Sequence, residues 1–177
     1  ARRNAVARTL QDLMFRELFE FRFVQTDPNM ANYLYLPATH QVALLDLGSV
    51  GEYSAEFVDG YRRVCRGVVH DDPALVRQAV FDLGYAHPDD PEPMQRNAIE
   101  IIQLVCEPFA HRGAYDFAAS GLVGRARDLG LKAAFGHGLR SPPPETMFLH
   151  RKLVGTFMIC ARLHAHVNVH ALIKRFL

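Results

Sequence analysis

Three side chains carry the types and spacing for joint chemistry: Asp27, Asn32 and Asp46. Two offer hard carboxylate oxygens and one an amide oxygen. These donors suit Mg²⁺, which keeps several waters and takes only one or two protein carboxylates. Asp27 opens the run Asp27-Pro28-Asn29-Met30-Ala31-Asn32, and Asp46 opens Asp46-Leu47-Gly48. Proline biases the preceding residue toward extended backbone, which puts Asp27 on a loop. Singly, each residue has a plain reading: an Asp before Pro caps a turn, and an Asn after a loop is unremarkable. The combination of Asp, Asn and Asp-x-Gly is far more specific.

The elements around them must bring them together. Tyr33-Leu34-Tyr35-Leu36 and Gln41-Val42-Ala43-Leu44-Leu45 flank Pro37-Ala38-Thr39-His40, two apolar runs around a turn, which reads as a β-hairpin. With the turn centred near residue 39, Asn32 and Asp46 fall opposite each other at its open end, their Cβ atoms about 4.5–5.5 Å apart. Asp27 precedes Asn32 by five residues and reaches the same space. This is the one convincing β signal. Apolar residues at helical spacing predict a helix over 4–23. Phe57, Val58, Tyr61, Val64, Cys65, Val68 and Val69 form a clean stripe opposite charged residues. A short helix follows Asp72-Pro73, a longer one runs toward His111, and a weaker one spans 116–135. Ser141-Pro142-Pro143-Pro144-Glu145 leads into a helix over 145–165, since proline is tolerated in a first turn. A terminal helix follows Asn168. The expected fold is mainly α, with one short hairpin carrying the metal site.

Composition narrows the partners. Twenty basic and 19 acidic residues leave a net charge of +1, so nothing demands nucleic acid. The run Leu153–Ala161, free of charge and His, falls short of the roughly 18 residues a membrane span needs. Cys65, Cys106 and Cys160 show no metal or disulfide spacing and read as buried thiols in a reducing compartment. His166 and His170 would share a face on a continuous helix and grip zinc. With no carboxylate or thiolate to complete the set, they and His164 read as a polar helix end. His150 reads as a packed or capping histidine. Phe148, Leu149, Leu153, Phe157 and Ile159 read as a core-facing stripe, with a lipid or quinone pocket as the alternative.

Phosphoryl transfer is the chemistry this set fits. Kinases place an Asn five positions after the catalytic Asp and hold metal with a later Asp-Phe-Gly. Leu18-Phe19-Glu20-Phe21-Arg22-Phe23-Val24-Gln25-Thr26-Asp27-Pro28-Asn29 resembles the catalytic loop of the UbiB-type atypical kinases of coenzyme Q biosynthesis. His40 to Tyr53 resembles that family's metal-binding segment, and Pro142 to Thr146 with Leu149 to Leu153 its late helix. The resemblance spans nearly all of 1–177 and implies a kinase-like carboxy-terminal lobe. It implies Asp27 as catalytic-loop Asp, Asn32 and Asp46 as metal ligands, and Asp46 with Gly48 at the cofactor, Mg²⁺ and ATP. Gln25-Thr26 stands where ordinary kinases have His-Arg, and Leu47 where they have Phe. The strand lysine, its Glu partner and the glycine- or alanine-rich cover of an amino-terminal lobe do not occur, and Gly48 to Gly51 is too short for one. The next helix begins near Ser54, which leaves no long activation loop. The chain, starting at Ala1, therefore reads as part of a longer protein, inactive alone. With the missing lobe, the implied function is Mg-ATP hydrolysis or phosphate transfer supporting ubiquinone biosynthesis. The alternative is an inactive or ATP-gated scaffold for lipid-modifying enzymes. Implied partners are quinone-pathway enzymes or a membrane surface, in the cytoplasm or mitochondria.

Overall fold

The computed structural model describes residues 1–136 and 138–177. Helix α1 (Arg2–Arg16) buries Ala7, Leu10, Met14 and Phe15 on one face and widens into a π turn, Glu17–Phe21. Arg22, with φ 55°, ends it, and the chain turns straight into strand β1 (Phe23–Gln25). The helix expected to reach residue 23 thus ends at Phe21, and its last residue, Phe23, belongs to a strand.

Three antiparallel ribbons replace the single hairpin expected. The predicted one is present, with β2 (Tyr33–Leu36) paired to β3 (Gln41–Leu44). β1 pairs with β4 (Val50–Glu52), and β5 (Tyr115–Asp116) with β6 (His166–Val167). Each added strand is two or three residues long, too short to show a two-residue alternation.

Helix α2 (Ala55–His70) starts where Ser54 Oγ accepts the Phe57 amide at 3.1 Å. Its stripe buries Phe57, Val58, Val64, Cys65 and Val69 as the spacing predicts. Asp72 caps α3 (Pro73–Asp82), with proline in the first turn. Helices α4 (Glu92–Val105), α5 (Glu107–Ala110), α6 (Leu122–Phe135), α7 (Pro144–Arg162) and α8 (Val169–Ile173) complete the lobe. The region expected as helix from 116 begins instead with β5 and a turn; Asp116 Oδ1 accepts the Ala118 and Ala119 amides, a side-chain turn that competes with helix there. The core lies between α1, α2, α5, α7 and α8, where Phe15 meets Phe109 edge-on at 5.6 Å. All three cysteines are buried and free.

One tie outside the core has a readable pH signature. Arg125 donates to both Glu107 oxygens, at 3.1 and 2.7 Å, and Tyr115 Oη donates to Oε1 at 2.7 Å. The Arg125 hydrogen bonds hold the Glu107 carboxyl below its usual value of 4.5. A depressed folded value contributes stability above the unfolded value and loses it as pH falls through the folded one. Both groups are partly solvated, so the effect is small. Glu107→Gln is expected to lower the melting temperature by about 1–3 °C at pH 7. The gap should close as pH drops below 4.5; a gap that persists at pH 3 would show that charge is not its source.

Candidate functional site: the junction of two ribbons

The loop from β1 to β2 and the loop from β3 to β4 run side by side. Thr26 N donates to Ser49 O at 2.8 Å, extending the β1–β4 ladder past Gln25. Leu45 N donates to Asn32 O at 2.9 Å, extending the β2–β3 ladder. The Thr26 and Ser49 hydroxyls lie 2.8 Å apart across the same seam. Two ribbons thus feed both candidate segments, 27–32 and 46–48, into one junction, tied at both ends where the single expected hairpin would have tied one.

Within it, Asn32 Nδ2 donates to Asp27 Oδ2 at 2.9 Å and to Asp27 O at 3.1 Å. Asn29 Oδ1 accepts the Ala31 amide at 3.0 Å, closing the loop on itself. Asp46 Oδ1 accepts the Gly48 amide at 2.7 Å, and a side chain at 48 would crowd that carboxylate. The expected pairing of Asn32 with Asp46 is one residue out. Tyr33 pairs with Leu44, so Asn32 faces Leu45. The turn centre falls between 38 and 39, and a one-residue error exchanges the two faces of a strand. Asp27 and Asn32 are joined directly, whereas Asp46 lies on the neighbouring antiparallel segment.

The donor set fits a hard cation. Asn32 spends its amide nitrogen on Asp27, and its Oδ1 accepts no hydrogen bond among the described residues. Asp46 Oδ2 is likewise uncommitted among them, on an exposed carboxylate. No group of three or more His, Cys, Asp or Glu is placed to hold a metal among the described residues. An ion bound largely by phosphates and water requires none.

Helix α7 backs the loop, and sequence reasoning missed this. Arg151 Nε donates to Thr26 O at 2.8 Å. Lys152 is buried, its Nζ 2.9 Å from Glu17 Oε2 and donating to Gln25 Oε1 at 3.1 Å. Gln25 Nε2 in turn donates to Asp27 O at 2.6 Å. Burial pushes the Glu17 carboxyl up and the Lys152 ammonium down, and each holds the other toward its charged form. Removing one partner of such a pair costs about 3–5 kcal/mol. The available signal was Lys152 itself, three residues after Leu149 and four before Thr156, on a face otherwise apolar or hydroxylic. Phe148, expected in that face, is 54% exposed beneath the Arg151 guanidinium.

His150 is packed, as expected: its Nε2 meets the hydroxyls of Tyr61 and Tyr85 in the wall of an apolar cavity of about 310 Å³. Burial pushes its imidazole below 6.5. His164, His166 and His170 do not share a helix. α7 ends at Arg162, His166 lies on β6, and His170 Nδ1 meets Phe109 O at 2.7 Å. On the open side of α7, a cleft of about 570 Å³ is bounded by Asp27, Met30, Arg151, Met158 and Arg162.

Comparison with known proteins places the chain among relatives. The ABC1 atypical kinase-like domain matches residues 1–80. The atypical kinase COQ8B, mitochondrial, of Rattus norvegicus is 42% identical over 165 residues, covering 93% of this chain and 31% of that protein. The atypical kinase COQ8, mitochondrial, of Saccharomyces cerevisiae is 31% identical over 97% of this chain and 34% of its own length. The chain thus spans about a third of these relatives. The Mycobacterium tuberculosis protein solved as an Rv3197–erythromycin complex shares the fold, with TM-score 0.78 at 16% identity over 99% of this chain and 43% of its own. No helix among the described residues is long and apolar enough to cross a membrane. On sequence likeness over nearly its whole length, this chain belongs to the UbiB-type atypical kinase family.

Proposed function

We propose that this chain is the carboxy-terminal lobe of an atypical kinase or ATPase that binds Mg-ATP and hydrolyses or transfers its γ-phosphate in support of ubiquinone biosynthesis. The hydrogen bond from Asn32 to Asp27 carries the reading, because it sets the catalytic Asp and a metal-binding amide side by side. Asn32 Oδ1 and the Asp46 carboxylate would hold the ion. When bound, Mg²⁺ neutralises phosphate charge that the protein otherwise leaves bare. Asp27 accepts the proton of the attacking hydroxyl or water, which enters through the cleft beside Arg151 and Arg162. Their relatives' names support a mitochondrial location.

A scaffold without turnover is the second reading. It is favoured by the same bond, since Asn32 already occupies the Asp27 oxygen Oδ2. Nucleotide-dependent metal binding is common to both readings, so it is the first thing to test. Calorimetric titration of Mn²⁺ into the full-length protein with a non-hydrolysable ATP analogue should show Asp46→Asn weaker by on the order of tenfold or more. Equal affinities would remove Asp46 from the site.

A further inference from the structure

The buried ions Glu17 and Lys152 lie behind the junction rather than in it, and stability alone does not account for them. A buried ion pair is often matched or surpassed in stability by apolar residues of the same volume, because desolvating two charges offsets their attraction. What the pair supplies here is direction. Lys152 Nζ faces three oxygens, Glu17 Oε2 at 2.9 Å, Gln25 Oε1 at 3.1 Å and Tyr33 Oη at 3.4 Å. An ammonium has three donors and no acceptor. It therefore decides which end of the Gln25 amide faces it: oxygen toward Lys152, nitrogen toward Asp27. The nitrogen then donates to Asp27 O at 2.6 Å. Were the amide reversed, two oxygens would oppose each other at that point and two sets of donors at Lys152.

We propose that Glu17 and Lys152 are positioning residues for phosphoryl transfer: the cation orients Gln25, and Gln25 fixes the main chain at Asp27. Glu17 opens the π turn, so its carboxylate comes from the element that leads into β1. Lys152 comes from α7, next to Arg151, which holds Thr26 O. The loop is thus gripped at Gln25 and Thr26 by groups remote in sequence, and Gln25 passes the hold on to Asp27 O; neither Glu17 nor Lys152 needs to touch nucleotide. The proposal rests on the proposed role of Asp27.

The test uses the full-length protein and separates position from stability. In Glu17→Leu/Lys152→Met the charges go but the volume stays. This double variant is expected to melt at or above the wild-type temperature. Its Mg-ATP affinity should be unchanged, while kcat falls about 10- to 100-fold. Amide hydrogen exchange at residues 25–32 should speed up on the order of tenfold, with α2 unaffected. Gln25→Glu is the second variant: it keeps the acceptor toward Lys152 and deletes the donor to Asp27 O. The same loss of loop protection is expected, with the core still folded. Wild-type kcat and wild-type loop exchange in a folded double variant would make the pair merely structural and overturn the proposal. Normal loop protection in Gln25→Glu would overturn it as well. If the wild-type protein turns over no ATP, the proposed function fails, and the exchange measurements still decide whether the pair positions the loop.

Discussion

Asp27→Asn in the full-length protein is expected to cut phosphate release by about 10²- to 10⁴-fold while leaving Mg-ATP affinity within a few-fold. The substitution is isosteric. An amide oxygen at position 27 can still accept the 2.9 Å hydrogen bond from Asn32, so the loop keeps its shape and the proposed metal donors their places. Only the oxygen proposed to take up the proton loses its basicity. Asp46→Asn should act differently, because it removes charge from the proposed metal site, and should depress both metal affinity and turnover. Phosphate-release rates and nucleotide affinities on both variants separate the roles. An Asp27→Asn protein that hydrolyses ATP at the wild-type rate would end the catalytic reading, and with the metal affinity intact it would leave the scaffold.

Gly155→Ala should be nearly as damaging, through packing alone. Gly155 lies in α7 against the Pro28 ring, and an added methyl would sit 2.6 Å from Pro28 Cβ and closer still to Cγ. The ring is fused to its own backbone, so it cannot swing aside as a flexible side chain does. The methyl must push α7 and the loop apart, and Asp27 moves with Pro28. Overpacking of this kind costs about 1–3 kcal/mol, against a helical gain of about 0.5–1 kcal/mol for Gly to Ala. A displacement near 1 Å costs about 10²-fold in rate. Gly124→Ala is the control, since its methyl would meet nothing within 4 Å in α6. It should melt at or slightly above the wild-type temperature and keep full activity. A Gly155→Ala protein with wild-type melting and turnover would show that α7 does not set the loop.

Local physics made much of this lobe readable in advance. The α2 stripe, the Ser54 and Asp72 caps and the proline start of α7 depend on residues within a few positions of one another. The β2–β3 hairpin was legible for the same reason, although its register was misjudged by one residue; the candidate set of Asp27, Asn32 and Asp46 with Gly48 came from residue types and a family resemblance. The tertiary structure decided what those residues touch. The β1–β4 ribbon joins segments of three residues, too short to announce themselves, yet it lays the two candidate loops side by side. Lys152 reaches Gln25 across 127 residues of chain, and nothing in the spacing of either names the other. Periodicity shows which face of a helix is buried, but not which buried face it meets. The chemistry of the junction was written in residue types, whereas its geometry depends on an ion pair, an arginine and a glycine contact that exist only once α7 lies behind the loop.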